Sequence, residues 1–211
     1  MNLLSKVISC FVCVLLIGVL LCGINSKSEK VAEKETVCLV TNLPAYIGKN
    51  NKILKQEYNG ECIAQISGMG GAKLTYINTG IKILFEPFDG KVWQQEEEIS
   101  QYEENPFIDE LIIYRIDLIA QYDGDQIISQ KSLKQLFDTE EIITYELINN
   151  KLPYAQTLEK YDNDLYVENN GELIKVTHDV YRTEYKYNNT SIKILYLDID
   201  NELIAFNIVL Q

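Results

Sequence analysis

Short runs of apolar, β-branched and aromatic residues, broken by turn residues, recur along the chain and predict a protein made mainly of strands. "TVCLVT" (36–41), "ECIAQIS" (61–67), "KLTYIN" (73–78) and "IKILFE" (81–86) are such runs. "GMGG" (68–71), "NTG" (78–80) and "DGK" (89–91) separate or close them. "LIIYRIDLIAQY" (111–122) reads as a long strand, "DGD" (123–125) as a turn, and "QIIS" (126–129) and "IITYELI" (142–148) as further strands. The pattern is clearest at 164–168, 172–178, 180–188, 191–199 and 202–210, which predict an antiparallel meander. Its turns are "NNG" (169–171), "NNT" (188–190) and "DN" (200–201). An Asn-Gly pair suits the positive φ angles of a type I′ hairpin turn.

Helical patterning is sparse. Ser132 with Gln135 three residues on forms a capping-box pattern, and Leu133, Leu136 and Phe137 give the following turn an apolar stripe. Pro153 can open another short helix, with Tyr154, Leu158 and Tyr161 on its inner face. "WQQEEEISQYEEN" (93–105) fits either a solvated helix or an acidic loop. The expected fold class is therefore α+β, predominantly antiparallel β-sheet with a C-terminal meander and two or three short helices.

One stretch follows neither period. "VISCFVCVLLIGVLLCGI" (7–24) carries no charge and is apolar all round. As a helix it would be about 27 Å long, close to the thickness of a bilayer core. Lys6 and the terminal amine precede it, as in a secretory signal or an uncleaved signal anchor. Three fates stay open: retention as an anchor, lipidation at Cys22, and cleavage. The residues after it offer no clean small-x-small pair, and Leu21 is bulky for a lipidation site. Lys27, Lys30 and Lys34 lie beyond the segment and oppose the usual basic-side rule. Export of the C-terminal part is still the expected orientation. The expected organisation is a signal or anchor (1–24), a polar linker (25–35) and one globular β-rich domain (36–211).

Net charge is −12 at pH 7. That argues against nucleic acid and anionic lipid surfaces as partners, since both are polyanions. Of the five cysteines, only Cys38 and Cys62 lie in the globular part. In an oxidising compartment they form the one intrachain disulfide available there, and closing that loop would contribute on the order of 3 kcal/mol. Two buried thiols are the alternative.

Candidate chemistry is thin. His178 is the only histidine, which excludes a multi-histidine zinc site, and no nucleophile motif lies beside it. "GMGG" precedes an expected strand, so it reads as a hairpin turn and not as a phosphate loop. Asp123/Asp125, Asp162/Asp164 and Asp198/Asp200 place hard oxygens at alternate positions, but none heads a twelve-residue calcium loop. Aspartate also favours turns on its own account. No spacing singles out a carboxylate pair for glycoside hydrolysis. No catalytic, cofactor or metal residue is thus assigned. "NNTS" holds overlapping glycosylation sequons at Asn188 and Asn189. Tyr181, Tyr185 and Tyr187 fall on one face of the 180–188 strand. They form either a packed row in the core or a ligand face for a protein or glycan.

"GELIKVTHDVYRTEYKYNN" (171–189) resembles the YD repeat of Rhs-type extracellular proteins. Gly171, Leu173, Val176, Thr177, Arg182, Glu184, Tyr185 and Tyr187 carry the likeness, and "YLDIDNELIAF" (196–206) is a looser second copy. Tyr181 stands in place of the turn glycine, and His178 is inserted before Asp179. The resemblance covers a small part of the chain. It implies extracellular β-sheet architecture and no catalysis. The function expected from all this is an exported, membrane-tethered binding or interaction module, held by residues 7–24, whose partner is an unspecified protein or glycan. Two rivals remain: an exported carboxylate-dependent hydrolase, and a structural or inhibitory partner of one envelope protein.

Overall fold

The structure, a computed structural model, describes residues 42–58, 60–66, 71–77, 79–87, 106–152 and 155–211. They belong to one compact unit spanning 37–211, whereas the other unit, residues 1–36, lies wholly outside them. In chain order the strands are β1 (Cys62–Ile66), β2 (Ala72–Tyr76), β3 (Ile81–Phe85), β4 (Ile113–Ile119), β5 (Gln121–Asp123), β6 (Gln126–Ser129), β7 (Ala155–Lys160), β8 (Tyr166–Asn169), β9 (Glu172–Lys175), β10 (Val180–Tyr187), β11 (Thr190–Ile199) and β12 (Glu202–Leu210). The helices are a 3-10 turn at Leu43–Tyr46, α1 (Asn51–Glu57), α2 (Pro106–Glu110), α3 (Lys131–Leu136) and α4 (Tyr145–Lys151).

Strict alternation in β2, β3 and the first seven residues of β11 separates one buried face from one wetter face. Register then lines the buried residues up across strands. Tyr76, Ile81, Leu118, Ile208, Ile194 and Thr183 form one continuous ladder across β2, β3, β4, β12, β11 and β10. Leu74, Ile83, Ile116, Leu210, Ile192 and Tyr185 form a second ladder beside it. All of these residues are buried. Each aliphatic side chain so buried contributes about 1.5–3 kcal/mol. Leu133, Leu136 and Phe137 of the α3 region and Ile148 of α4 close over the same core.

The large sheet is eight-stranded and wholly antiparallel, in the order β1-β2-β3-β4-β12-β11-β10-β7. β12 is central and joins the N-terminal strands β1–β4 to β7, β10 and β11. A bulge at Phe206 interrupts its pairing with β11. There the buried Gln130 side chain acts as a clamp. Its amide nitrogen donates to Ala205 O at 2.8 Å, and its amide oxygen accepts from Ile143 N at 3.1 Å.

The fold is the expected α+β, with β10–β11–β12 as its C-terminal meander. Four local expectations are corrected. Among the described residues β8 and β9 pair only with each other, so the stretch 171–189 spans two sheets rather than one hairpin. "IITYELI" is not a strand: only a bridge from Thr144 to Ile204 is extended, after which α4 begins. Thr144 caps α4 by accepting from Leu147 N, which satisfies an otherwise unpaired helix N–H. Residues 155–160 form β7 and not a helix, because pairing with β10 outweighs the proline signal; Pro153 and Tyr154 lie outside the described residues. Ser132 is inside α3 and buried, while Gln130 holds the N-cap position without a side-chain cap, so no capping box forms.

Candidate functional site

Each residue singled out in the sequence has a definite place, or falls outside the described region. Tyr181, Tyr185 and Tyr187 share a face, as alternation requires, and that face is the inner one. Tyr185 is 1% exposed, and its hydroxyl donates to Asn149 Oδ1 of α4 at 2.8 Å. It therefore has no free surface for a ligand. Tyr181 and Tyr187 are half-buried against the same core. Tyr196 lies beside Tyr185 with its ring edge-on to Tyr145, centroids 5.4 Å apart. Burial pushes the Tyr185 hydroxyl up to about 12 and raises Tyr196 further, the neighbouring Tyr185 adding to the effect there. This cluster is a structural joint between β10, β11 and α4.

A second polar joint holds the two small hairpins together. The buried Tyr122 hydroxyl of β5 accepts from Thr177 N at 3.0 Å and lies 3.1 Å from Thr177 Oγ1. Thr177 Oγ1 donates in turn to Gly124 O at 3.2 Å, so Tyr122 is the donor to Thr177 Oγ1. His178 Nε2 is 3.0 Å from Asp125 O. A carbonyl only accepts, so Nε2 carries the proton in this contact. Lys160 and Asp179 pair alongside at 2.8 Å. His178 thus bonds a turn carbonyl, not a nucleophile, and its role here is to pin the β5–β6 turn to the segment before β10.

The hairpin β8–β9 presents two contrasting faces. Val167 and Ile174 pair across it and pack on the core. On the other face Glu168 stands opposite Leu173, and Tyr166 opposite Lys175. Leu173 is 75% exposed and Tyr166 54%. Cross-strand diagonal neighbours of this kind are within reach of one partner's side chain. Lys175 pairs with Asp164 at 2.9 Å at the margin.

Comparison of this chain with protein-family models, with curated proteins and with solved structures finds no match. The candidate site therefore rests on these residues themselves.

Cys62 opens β1, half-buried and in register with Tyr76. Cys38 and Cys22 lie outside the described residues, as do residues 7–24 and 93–105. Among the described residues no helix is long and apolar enough to cross a membrane. Among them, too, no group of three or more His, Cys, Asp or Glu side chains is placed to hold a metal. Of the Asp-x-Asp turns, Asp164 is taken by Lys175, and Asp200 shares a left-handed turn with Asn201. The outward Tyr166–Leu173 face was not singled out in the sequence. The signal available was the alternation "YVEN" and "ELIK" around "NNG", which puts Tyr166 and Leu173 on the face opposite Val167 and Ile174.

Proposed function

We propose that the chain is an exported, membrane-tethered interaction module that engages a protein partner through the outward face of β8–β9. The observation that supports it is the exposure of Leu173 and Tyr166 together on one face of a hairpin whose other face packs on the core through Val167 and Ile174. A leucine three-quarters exposed loses water contact only when something docks on it, and apolar surface rimmed by charge is a common form of protein contact. Glu168, Lys175 and Asp164 supply that rim. The tether rests on the uncharged segment 7–24, and the resemblance of 171–189 to extracellular YD repeats agrees with export.

Two measurements test the two parts. Intact mass of the full chain from the membrane fraction of its native host tests the tether; a shortened, unmodified soluble product overturns it. A photo-crosslinking side chain at position 173 in the full chain tests the face. One discrete adduct, lost on Tyr166→Asp, is expected. Absence of an adduct at 173 overturns the assignment.

A further inference from the structure

The turn of β8–β9 carries a residue pair with chemistry of its own. Asn170 and Gly171 are its two central residues, at φ +51 and +86, and both are exposed. The ladder closes on Asn169 and Glu172, so the Gly171 N–H lies outside it. Nothing lies within 4 Å of where a Gly171 Cβ would stand, so the backbone there is uncrowded. Among the described asparagines, Asn170 alone precedes a glycine. Asn188, Asn189 and Asn201 share its left-handed backbone and its place in a hairpin turn, but asparagine, threonine and glutamate follow them. Their turns join β10 to β11 and β11 to β12 within the large sheet. By contrast β8–β9 has four residue pairs, and among the described residues it joins no other strand. Two-stranded hairpins of this size are marginal by themselves and open locally at low cost. Asn59–Gly60 is the other Asn-Gly pair of the sequence; Asn59 lies outside the described residues, and a Cβ on Gly60 would meet the Tyr76 ring at 3.2 Å.

We infer that Asn170 is a self-modification site whose conversion dismantles the outward face of β8–β9; the consequence for that face rests on the function proposed above. When the hairpin opens, the Asn170 side chain can rotate onto the next peptide nitrogen. The Gly171 nitrogen, giving up its proton, bonds to Asn170 Cγ. The Cγ–Nδ2 bond breaks, and the amide nitrogen leaves with that proton as ammonia. A five-membered succinimide remains. Glycine favours the step because no Cβ stands beside the attacking nitrogen. Water then opens the ring. Attack at Cγ leaves aspartate on the ordinary backbone. Attack at the Asn170 main-chain carbonyl leaves isoaspartate, with the chain running through Cβ and Cγ. Either product adds one negative charge to a chain of net charge −12. Isoaspartate also puts one more atom into the backbone of a two-residue turn. Turn geometry fixes hairpin register, and a slip carries side chains to the opposite face. The placement of Leu173 opposite Glu168 and of Tyr166 opposite Lys175 depends on that register.

The test is ageing of the full chain in heavy-oxygen water at mildly alkaline pH, followed by peptide mapping. Asn170 is expected to convert first, yielding isoaspartate as well as aspartate, with heavy oxygen incorporated. Asn188, Asn189 and Asn201 are expected to remain amides. Hydrogen exchange of the 166–175 amides in the same samples is expected to lose protection in proportion to the isoaspartate formed. Freshly prepared Asn170→Asp adds the charge on an ordinary backbone and is expected to keep the protection, which separates backbone from charge. Asn170→Gly leaves a Gly-Gly pair suited to the turn and is expected to hold its protection through ageing. Conversion no faster at Asn170 than at Asn188, Asn189 and Asn201, or confined to Asn59, overturns the site. Isoaspartate at 170 with unchanged protection of β8–β9 overturns its effect on the face. Neither readout needs a partner, so an absent crosslink at 173 in the fresh chain overturns the proposed function alone.

Discussion

The hydroxyl of Tyr185 donates to Asn149 Oδ1 at 2.8 Å and so fastens the middle of β10 to α4. Sequence separates the two residues by a long connection that includes β7, β8 and β9, yet the bond lies inside the core.

Two substitutions at this position separate the bond from the packing. Tyr185→Phe keeps the ring and removes the donor, which is expected to cost about 1 kcal/mol. Tyr185→Ala empties a buried ring site and is expected to cost about 3–5 kcal/mol. Denaturant unfolding of both variants checks the ordering. Equal losses would mean the hydroxyl, and not the ring, carries the joint.

Gln130 is expected to be as sensitive despite being polar. Gln130→Met keeps the volume but leaves Ala205 O and Ile143 N without their partner inside the core. The expected loss is about 2–4 kcal/mol. A melting point within a degree or so of the parent would show that water replaces the amide.

Glycines at two turns should behave unequally. Gly80 has φ +73, and a Cβ there would overlap the Ile119 carbonyl oxygen of the neighbouring β4. Left-handed strain alone costs roughly 1–2 kcal/mol, so with the overlap Gly80→Ala should lose more than about 3 kcal/mol. Gly171 also has positive φ, but nothing lies within 4 Å of its would-be Cβ. Gly171→Ala should lose only the strain, about 1–2 kcal/mol. Unfolding free energies of the pair decide it, and similar values would remove the steric argument.

Alkali should unfold the protein before all of its tyrosines ionise. Burial, then the hydrogen bond to Glu57 and that carboxylate's charge, push the Tyr46 hydroxyl up to about 12, and burial raises Tyr185 to about 12. Both groups are neutral in the native state and ionise near 10 when unfolded, so the fold binds their protons more tightly. The stability they contribute is full below pH 10 and is lost as pH rises from 10 to 12. Tyrosinate absorbance followed beside circular dichroism checks this. Ionisation of every tyrosine near pH 10 with the spectrum unchanged would contradict the buried placements. Tyr46→Phe should flatten part of the loss, since it has no proton to release.

Most of the sheet was legible in the sequence because its alternation is local. β12 covers the expected 202–210, and β2, β3, β10 and β11 depart from the expected bounds by a residue or two. The helices were less legible for physical reasons. Ile142, Ile143 and Thr144 have strand-like side chains, and Thr144 is indeed extended, but its hydroxyl then starts a helix. Pro153 suggested a helix that would have left β10 without its neighbour β7. The run from Leu43 to Glu57 drew no expectation, although Leu43, Tyr46 and Leu54 are core residues. Tyrosine alternation put Tyr181, Tyr185 and Tyr187 on one face, but which face meets the helices is set by α3 and α4 packing on it.

The position of β12 also bears on the order of events during synthesis. Among the described residues, the strands β1–β4 and the group β7, β10 and β11 have no common neighbour until residues 202–210 emerge. A nascent chain shorter than that holds two half-sheets with open edges, which are prone to mispairing. The core closes only when β12 is in place, so a chain that crosses a membrane from its N-terminus would pass most of its length before its main sheet exists.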